Sequence, residues 1–267
     1  MRPVLLVLSL VGITFGKDII LVSVHPFRFL VEGIAGDRFR VLALVPATYD
    51  YHTYELRPRD LVLVSRSRAV LVTGIPVGGW ERKLEEVAKD KVYRITGKDS
   101  LKDPHLWMSP KRMILVSERV LHILETVDPG GKRYFFRNYK NLLAKLKALD
   151  REFSETLKGC VHPYLPEVHP SLRYLALDYS LTHIPLTTGG HHGEVLPGNL
   201  SRFIRTLKEK GVRYFFVPEG EDSGVTDLLK EEGLRPYTLK VRLRGGDYFS
   251  LMRFNLKVLK EALKCGE

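Results

Sequence analysis

Short apolar runs alternate along the chain with segments whose apolar residues recur every three or four positions. In the first half, the apolar runs predict strands at residues 19–24, 40–44, 69–73 and 92–95. The segments between them predict helices at residues 27–35, 58–65, 80–88 and 110–125. Pro58 and Pro110 suit the first position of a helix, and Ser109 is a suitable cap before the second of these. This alternation is typical of α/β layers with largely parallel strands.

The second half of the chain repeats the same alternation. Strands are predicted at residues 181–186, 214–217 and 237–241, and helices at residues 197–208, 225–232 and 248–263. A chain of 267 residues is long enough for two domains of ordinary size. The pattern therefore predicts an α/β fold of two similar lobes, one at residues 17–127 and the other at residues 159–267.

Between the two halves lies the clearest helical pattern in the chain. Its apolar positions recur at intervals of three or four residues: Phe135, Tyr139, Leu142, Leu146, Leu149, Phe153 and Leu157. At 1.5 Å per residue, such a helix spans roughly 40 Å. A coiled-coil dimer is the alternative use of this stripe, but the polar face lacks an ordered charge pattern. We expect residues 128–158 to form one long, rigid helix that packs along both lobes and joins them.

The first sixteen residues have the pattern of a secretory signal peptide. Arg2 gives a positive start, residues 4–15 are apolar, and Gly16 offers a small residue for cleavage. The apolar run is shorter than the twenty or so residues that a membrane span needs. The alternative is a buried strand that continues into residues 19–24. We expect cleavage after Gly16 and a free periplasmic protein.

The composition is that of a globular protein, with 44% hydrophobic and 27% charged residues. The formal net charge of +11 raises the question of a nucleic-acid or anionic-membrane partner. However, the basic residues are scattered among acidic ones, so we expect a charge-rich solvated surface and no nucleic-acid binding. The two cysteines, Cys160 and Cys265, lie at the two ends of the predicted second lobe. In an oxidising compartment they could form a disulfide, and the sequence leaves this open.

Three histidines and one aspartate stand in loops at the ends of predicted strands or the starts of predicted helices. They are His52, His105, His169 and Asp247. Three imidazoles and one carboxylate would form a closed four-coordinate shell for a first-row metal, and zinc suits such a shell best. A site of this kind is expected where strands end, at the face where two α/β lobes meet.

The motifs around these residues follow one another in a recognisable order. They are Gly36-Asp-Arg, Val45-Pro, His52-Thr-Tyr-Glu55 with Arg57-Pro-Arg-Asp60, Asp103-Pro-His-Leu-Trp107, His169-Pro, and Asp247-Tyr with Met252 and Asn255. The ordered series resembles the periplasmic metal-binding components of zinc and manganese ABC importers, the zinc-uptake and treponemal metal-receptor group of solute-binding proteins. The resemblance runs from about Ile19 to Leu263.

This resemblance implies the ligand set and the biological role. It implies that His52, His105, His169 and Asp247 bind the metal and that the protein delivers its cargo to the membrane permease of an ABC transporter. It also implies a monomeric receptor rather than an enzyme. Manganese members usually have Glu at the third ligand motif, so His169 favours Zn²⁺ as the bound cargo. The chain lacks the long histidine-rich loop of many zinc members, which leaves Mn²⁺ as the alternative.

Other candidates remain open beside this set. His162 is a rival to His169, although only His169 is followed by Tyr174 and the pair Asp178-Tyr179 at the offsets of the family. His191 and His192 could capture metal transiently on a glycine-rich loop, or they could be incidental. Glu219 is expected to face the cleft and to help position a ligand.

No hydrolase, zincin or phosphate-loop motif occurs in the sequence. A zinc-dependent hydrolase is still the best enzymatic alternative, because three histidines and an aspartate could hold a water-activating zinc. A surface adhesin would use the same fold without needing every ligand.

Overall fold

The computed structural model describes residues 17–75, 79–97, 103–187, 196–221, 224–243 and 247–266. The predicted signal peptide, residues 1–16, lies outside the described residues, and so do His191 and His192. Within the described residues, no helix is both long enough and apolar enough to span a membrane.

The first lobe is built on a four-stranded parallel sheet. Its strands and helices follow one another as β1 (Ile19–Val24), α1 (Arg28–Ala35), β2 (Arg40–Val45), α2 (Pro58–Arg66), β3 (Ser67–Val72), α3 (Gly79–Ala88), β4 (Val92–Arg94) and α4 (Pro110–Val127). The strand order is β2-β1-β3-β4. The inner strands β1 and β3 are almost entirely buried, which explains their continuous apolar sequence.

A single helix, α5 (Lys132–Leu157), leads from the first lobe to the second. Its 26 residues correspond to a length of about 39 Å. The buried residues of α5 are those of the predicted stripe, from Phe135 to Leu157. This stripe packs against α1 and α4 and against the last helix of the chain. The stripe is therefore part of the core of one molecule, where it stiffens the connection between the lobes.

The second lobe repeats the topology of the first. Its elements are β5 (Tyr164–Glu167), α6 (Arg173–Asp178), β6 (Thr182–Pro185), α7 (Pro197–Glu209), β7 (Tyr214–Pro218), α8 (Gly224–Glu231), β8 (Arg235–Leu239) and α9 (Tyr248–Leu263). The parallel strands are ordered β6-β5-β7-β8, with the first strand of the lobe again inside the sheet. The predicted fold class, two similar α/β lobes with parallel sheets and a long connecting helix, is confirmed.

The sequence pattern missed two elements of the second lobe, β5 and α6. Strand β5 contains Pro166, which has no N–H to donate to a neighbouring strand. The pairing of β5 with β7 is accordingly short, with Glu167 opposite Phe216 as its register pair. Helix α6 has only six residues, too few for a helical period to stand out in the sequence.

A disulfide joins Cys160 to Cys265. Cys160 follows α5 and precedes β5, whereas Cys265 follows α9. The bond thus ties the first strand of the second lobe to its last helix, at the amino end of β5.

The two lobes meet through polar contacts made by the start of α4 and the residues before it. Arg112 donates two hydrogen bonds of 2.8 Å to the carboxylate of Asp178, and the Ser109 hydroxyl donates a third of 2.7 Å. The Trp107 indole N–H donates to the carbonyl of Val241 at 2.9 Å, and the Tyr248 hydroxyl donates to the carbonyl of Trp107 at 2.9 Å. These contacts fix the segment that carries His105 against the second lobe.

Candidate metal centre

Three histidines converge where the two sheets face each other. His52 follows β2, His105 follows β4, and His169 follows β5. Because all strands in each sheet are parallel, these loops emerge at the carboxyl ends of the strands, which is the usual position of a site in open α/β sheets. The first lobe therefore supplies two imidazoles and the second lobe supplies one.

The three imidazoles are close enough to share one ion. One ring nitrogen from each lies within 4.8 Å of one from each of the others, and this is the group of potential metal ligands found among the described residues. The ring centroids are separated by 5.7, 6.0 and 5.4 Å. A tetrahedral zinc with Zn–N bonds of about 2.05 Å would bring its nitrogen ligands to roughly 3.4 Å apart. A small contraction of the group would therefore complete a zinc-binding geometry.

His105 is the most buried of the three and is held at both ring nitrogens. Its side chain has no exposed surface. The Asp103 carboxylate accepts from the backbone N–H of His105 at 3.0 Å and contacts Nδ1 at 2.8 Å. Because a carboxylate only accepts, Nδ1 carries the proton and Nε2 is the basic nitrogen. Burial lowers the pKa of His105 well below its ordinary value, and the Coulombic effect of His169 lowers it further. The imidazole is therefore neutral, as a metal ligand must be.

Tyr51 forms a hydrogen bond with the basic nitrogen of His105. Its hydroxyl lies 2.6 Å from Nε2. Burial raises the pKa of Tyr51 well above its ordinary value, and the carboxylates of Asp103 and Asp50 raise it further. The hydroxyl therefore keeps its proton and donates a hydrogen bond to Nε2. A metal ion that binds His105 through Nε2 must displace this hydroxyl.

The loop that carries His52 is braced by hydrogen bonds on both sides. The Asp50 carboxylate accepts from the His52 N–H at 2.9 Å, and the Trp80 indole N–H donates to the Tyr51 carbonyl at 2.7 Å. Further along, the buried Asp60 carboxylate accepts from the Tyr54 hydroxyl at 2.7 Å and from the backbone N–H of residue 57 at 2.8 Å. These bonds connect the loop to α2 and α3.

The loop that carries His169 is organised by a buried carboxylate. Glu167, the last residue of β5, accepts from the backbone N–H groups of Ser171 at 2.8 Å and Leu172 at 2.9 Å, and from the Ser171 hydroxyl. Its carboxylate also makes a short contact with Nε2 of His183 on the neighbouring strand β6. No sequence motif marks His183 as a site residue. In the structure, it supports the carboxylate that shapes the His169 loop.

Asp247, the expected fourth ligand, is not brought to the three histidines. It is the N-cap residue of α9, where its carboxylate accepts from the backbone N–H groups of Phe249 and Ser250 and from the Ser250 hydroxyl. These hydrogen bonds lower the pKa of Asp247 below its ordinary value, and the bond from the Ser250 hydroxyl has the largest effect. The side chain is exposed and borders a surface cavity that His25 and Phe29 also line. A carboxylate directly before a helix binds the unpaired N–H groups of the first turn, which is the physical reason for this placement.

A different pair of side chains contributes charge at the mouth of the cleft. Oε2 of Glu221 lies 3.5 Å from Nδ1 of His169. Nη2 of Arg242 lies 3.3 Å from Oε1 of Glu221 and 3.6 Å from Oδ2 of Asp50. Glu219, the glutamate that the sequence predicts at the cleft, is exposed, and Glu221 lies beside His169 instead. Both glutamates follow β7, and sequence spacing alone does not distinguish them. No sequence signal singled out Arg242.

The remaining candidates have other positions. Trp107 is buried and packs against His105 and Tyr51, with ring centroids 5.0 and 5.6 Å apart. It thus lies beneath the three histidines. His162 precedes β5 and contacts Tyr214, at the opposite end of the strand from His169.

Fold and site together define a two-lobed α/β protein with a candidate metal centre of three imidazoles between its lobes. Residues 20–262 match the model of the family described as zinc-uptake complex component A, periplasmic. The chain belongs to this family.

Individual relatives agree with this assignment. The zinc-binding protein AdcA of Streptococcus pyogenes is 23% identical over 97% of this chain and 61% of its own length. The chain thus spans about three-fifths of that relative. The metal ABC transporter substrate-binding lipoprotein ScbA of Streptococcus cristatus is 24% identical, over 88% of this chain and 85% of its own length.

Solved structures show the same fold. The crystal structure of ZnuA is 26% identical, with a TM-score of 0.81, and the match covers 92% of this chain and 99% of ZnuA. The zinc-bound ZnuA-like domain of Streptococcus pneumoniae AdcA is 25% identical, with a TM-score of 0.80, over 93% of this chain and 99% of that domain.

Proposed function

We propose that the protein is a periplasmic receptor that captures Zn²⁺ between its lobes and delivers it to the membrane permease of an ABC importer. The observation that carries this proposal is the convergence of His52, His105 and His169 at the cleft between two lobes. Membership of a zinc-uptake family and the zinc-bound state of a structural relative support the same cargo.

The proposed ligands are the three imidazoles. Nitrogen ligands suit zinc, whereas manganese prefers carboxylate, carbonyl and water oxygen. With three histidines in the group, zinc is the preferred cargo and Mn²⁺ the weaker one. Asp247 is left out of the proposed set because its carboxylate is engaged at the start of α9. A fourth position of a tetrahedral zinc would then be open to water or to a nearby side chain.

The residues behind the histidines prepare them for capture. Asp103 keeps the proton of His105 on Nδ1, so that Nε2 faces the incoming ion without a preceding deprotonation. The Tyr51 hydroxyl satisfies Nε2 until the ion arrives. Release uses the division of ligands between the lobes. A small separation of the lobes withdraws His169 from His52 and His105 and weakens the whole site at once.

The proposed receptor would work in the periplasm together with a membrane permease. The proposed signal peptide at residues 1–16 directs the chain to the periplasm. A disulfide between Cys160 and Cys265 suits an oxidising compartment. Receptors of metal ABC transporters work with a membrane permease, and we propose that this protein does so as a monomer.

Zinc-dependent hydrolysis is the second candidate, because three histidines with one open position also form catalytic zinc sites. We propose that the protein is not an enzyme. The zinc-loaded protein is expected to leave ester and phosphoester substrates unchanged. Zinc-dependent turnover that disappears in His105→Ala would favour the hydrolase.

The test of the proposed receptor is metal competition on the purified mature chain. A chelator-competition titration should give one tight zinc site and weaker manganese binding. His52→Ala, His105→Ala and His169→Ala should each weaken zinc binding at least about a hundredfold, because each removes one of three ligands. His162→Ala is the matched control and should bind as the wild type does. Tight zinc binding that survives in the three ligand variants would reject the proposed site.

A further inference from the structure

An arginine bridges the two lobes directly beside the proposed metal ligands. Arg242 follows β8 in the second lobe, and its guanidinium contacts Asp50 of the first lobe and Glu221 of the second. Its side chain is 25% exposed, and those of the two carboxylates are 30% and 32% exposed. The bridge is thus at the rim of the cleft, where it can form and break.

Each carboxylate of this bridge also contacts a histidine. The other oxygen of Asp50 accepts from the backbone N–H of His52, and the other oxygen of Glu221 lies 3.5 Å from Nδ1 of His169. A continuous polar path therefore runs from His52 through Arg242 to His169. The Glu221 carboxylate can orient the ring of His169, and the Asp50 carboxylate holds the backbone of His52, so a residue that fixes both carboxylates helps to place both histidines.

The contacts on the other side of the cleft differ in kind. Arg112 pairs with Asp178 through two 2.8 Å hydrogen bonds, and the Asp178 side chain is only 7% exposed. That pair holds the segment of His105 against the second lobe, and its carboxylate is shielded from solvent, although the Arg112 side chain is 30% exposed. The Arg242 bridge has longer contacts and more exposed carboxylates, so it is the weaker of these two interlobe ion pairs. Separation of the lobes would therefore begin on the side of His52 and His169.

The charges at the cleft agree with a cationic cargo. Asp50 and Glu221 share the guanidinium of Arg242, and a third carboxylate, that of Asp103, contacts His105. An entering divalent cation would balance the remaining negative charge, so Arg242 does not exclude it. The arginine holds the carboxylates as outer supports of the histidines while the three imidazoles bind the ion.

We propose that Arg242 is a positioning residue that couples closure of the lobes to retention of the metal, by joining Asp50 and Glu221 behind His52 and His169. This inference rests on the proposed function, because it concerns the same centre.

The test measures zinc dissociation from the zinc-loaded mature chain after rapid mixing with excess chelator. Arg242→Gln should release zinc about tenfold to a hundredfold faster than the wild type, the range found when an outer partner of a metal ligand is removed. Arg242→Lys keeps the charge and should recover part of the effect. Arg253→Gln is the matched control, since Arg253 pairs with Glu152 between α9 and α5, and should release zinc at the wild-type rate.

A double-mutant cycle shows whether Arg242 acts through Asp50. The double variant Asp50→Asn with Arg242→Gln should release zinc only slightly faster than either single variant, because both changes break the same bridge. The wild-type release rate should also rise with ionic strength, and that of Arg242→Gln should not. Release at the wild-type rate from Arg242→Gln, or additive effects in the cycle, would overturn the proposal. If the wild type does not bind zinc, or if His105→Ala still binds it tightly, the receptor function itself is rejected.

Discussion

His105, one of the three proposed ligands, is oriented by hydrogen bonds at both ring nitrogens in the metal-free protein. One nitrogen is fixed as a donor by Asp103, and the other accepts a hydrogen bond from the Tyr51 hydroxyl. The unprotonated nitrogen, Nε2, is therefore held in a fixed orientation and has a hydrogen-bond donor, although it is fully buried. Burial of an unsatisfied nitrogen would be costly, and the Tyr51 hydroxyl avoids that cost in the metal-free protein.

Replacement of Tyr51 by Phe tests this role. The change removes the hydrogen bond that competes with metal for His105, and such a bond contributes about 0.5–1.5 kcal/mol. The metal-free protein should lose stability by about that amount, and zinc affinity should rise by roughly twofold to tenfold. Thermal unfolding without metal and chelator competition with zinc measure the two effects. Weaker zinc binding in Tyr51→Phe would show that the hydroxyl assists the ion instead of competing with it.

Replacement of Asp247 by Ala separates a helix cap from a metal ligand. Loss of an N-cap carboxylate costs about 1 kcal/mol of stability, while zinc affinity should stay at the wild-type value. The folded-state pKa of Asp247 is lowered by its hydrogen bonds, so its contribution is present above the ordinary pKa of 3.8 and is lost as pH falls further. The stability difference from the wild type should therefore shrink in strong acid. A large loss of zinc affinity would instead place Asp247 among the ligands.

At the level of elements, most strands and helices could be read from the sequence because their apolar periods reflect one buried face. Strand β1 and helix α9 begin and end at the predicted residues. The sequence pattern did not predict strand β5, because a proline such as Pro166 is unfavourable in a strand inside a sheet. The positions of Glu221, Arg242 and Asp247 could not be read in the same way, since the direction of a loop side chain depends on hydrogen bonds rather than on spacing.

The disulfide is an element-scale feature with a separate effect on stability. It closes a loop whose ends are 105 residues apart in sequence. Replacing both cysteines by Ser should lower the free energy of unfolding by about 2–5 kcal/mol. Zinc affinity should change little, because the bond lies at the amino end of β5 and the histidines lie at the carboxyl ends of the strands. Denaturant unfolding of the oxidised, reduced and Ser-substituted protein measures this effect, and equal midpoints would contradict it.

The molecule as a whole divides the proposed metal centre between two lobes with the same topology. Helix α5 and the two-hydrogen-bond contact of Arg112 with Asp178 hold the lobes together on one side. The Arg242 bridge closes the other side with weaker contacts. Small movements about the first side would open the second, and the three histidines would separate without any unfolding of either lobe. The fold could be expected from the alternating pattern, whereas this asymmetry depends on side chains that meet only in three dimensions.

The most direct test of the central claim is anomalous diffraction from crystals of the mature protein grown with one equivalent of zinc. Data collected above and below the zinc absorption edge locate the ion without reference to any assumed ligand. We expect one peak between the lobes, about 2.0–2.1 Å from a ring nitrogen of each of His52, His105 and His169. A principal peak at Asp247, at His162 or at the segment of His191 and His192, with none among the three histidines, would contradict the proposed centre.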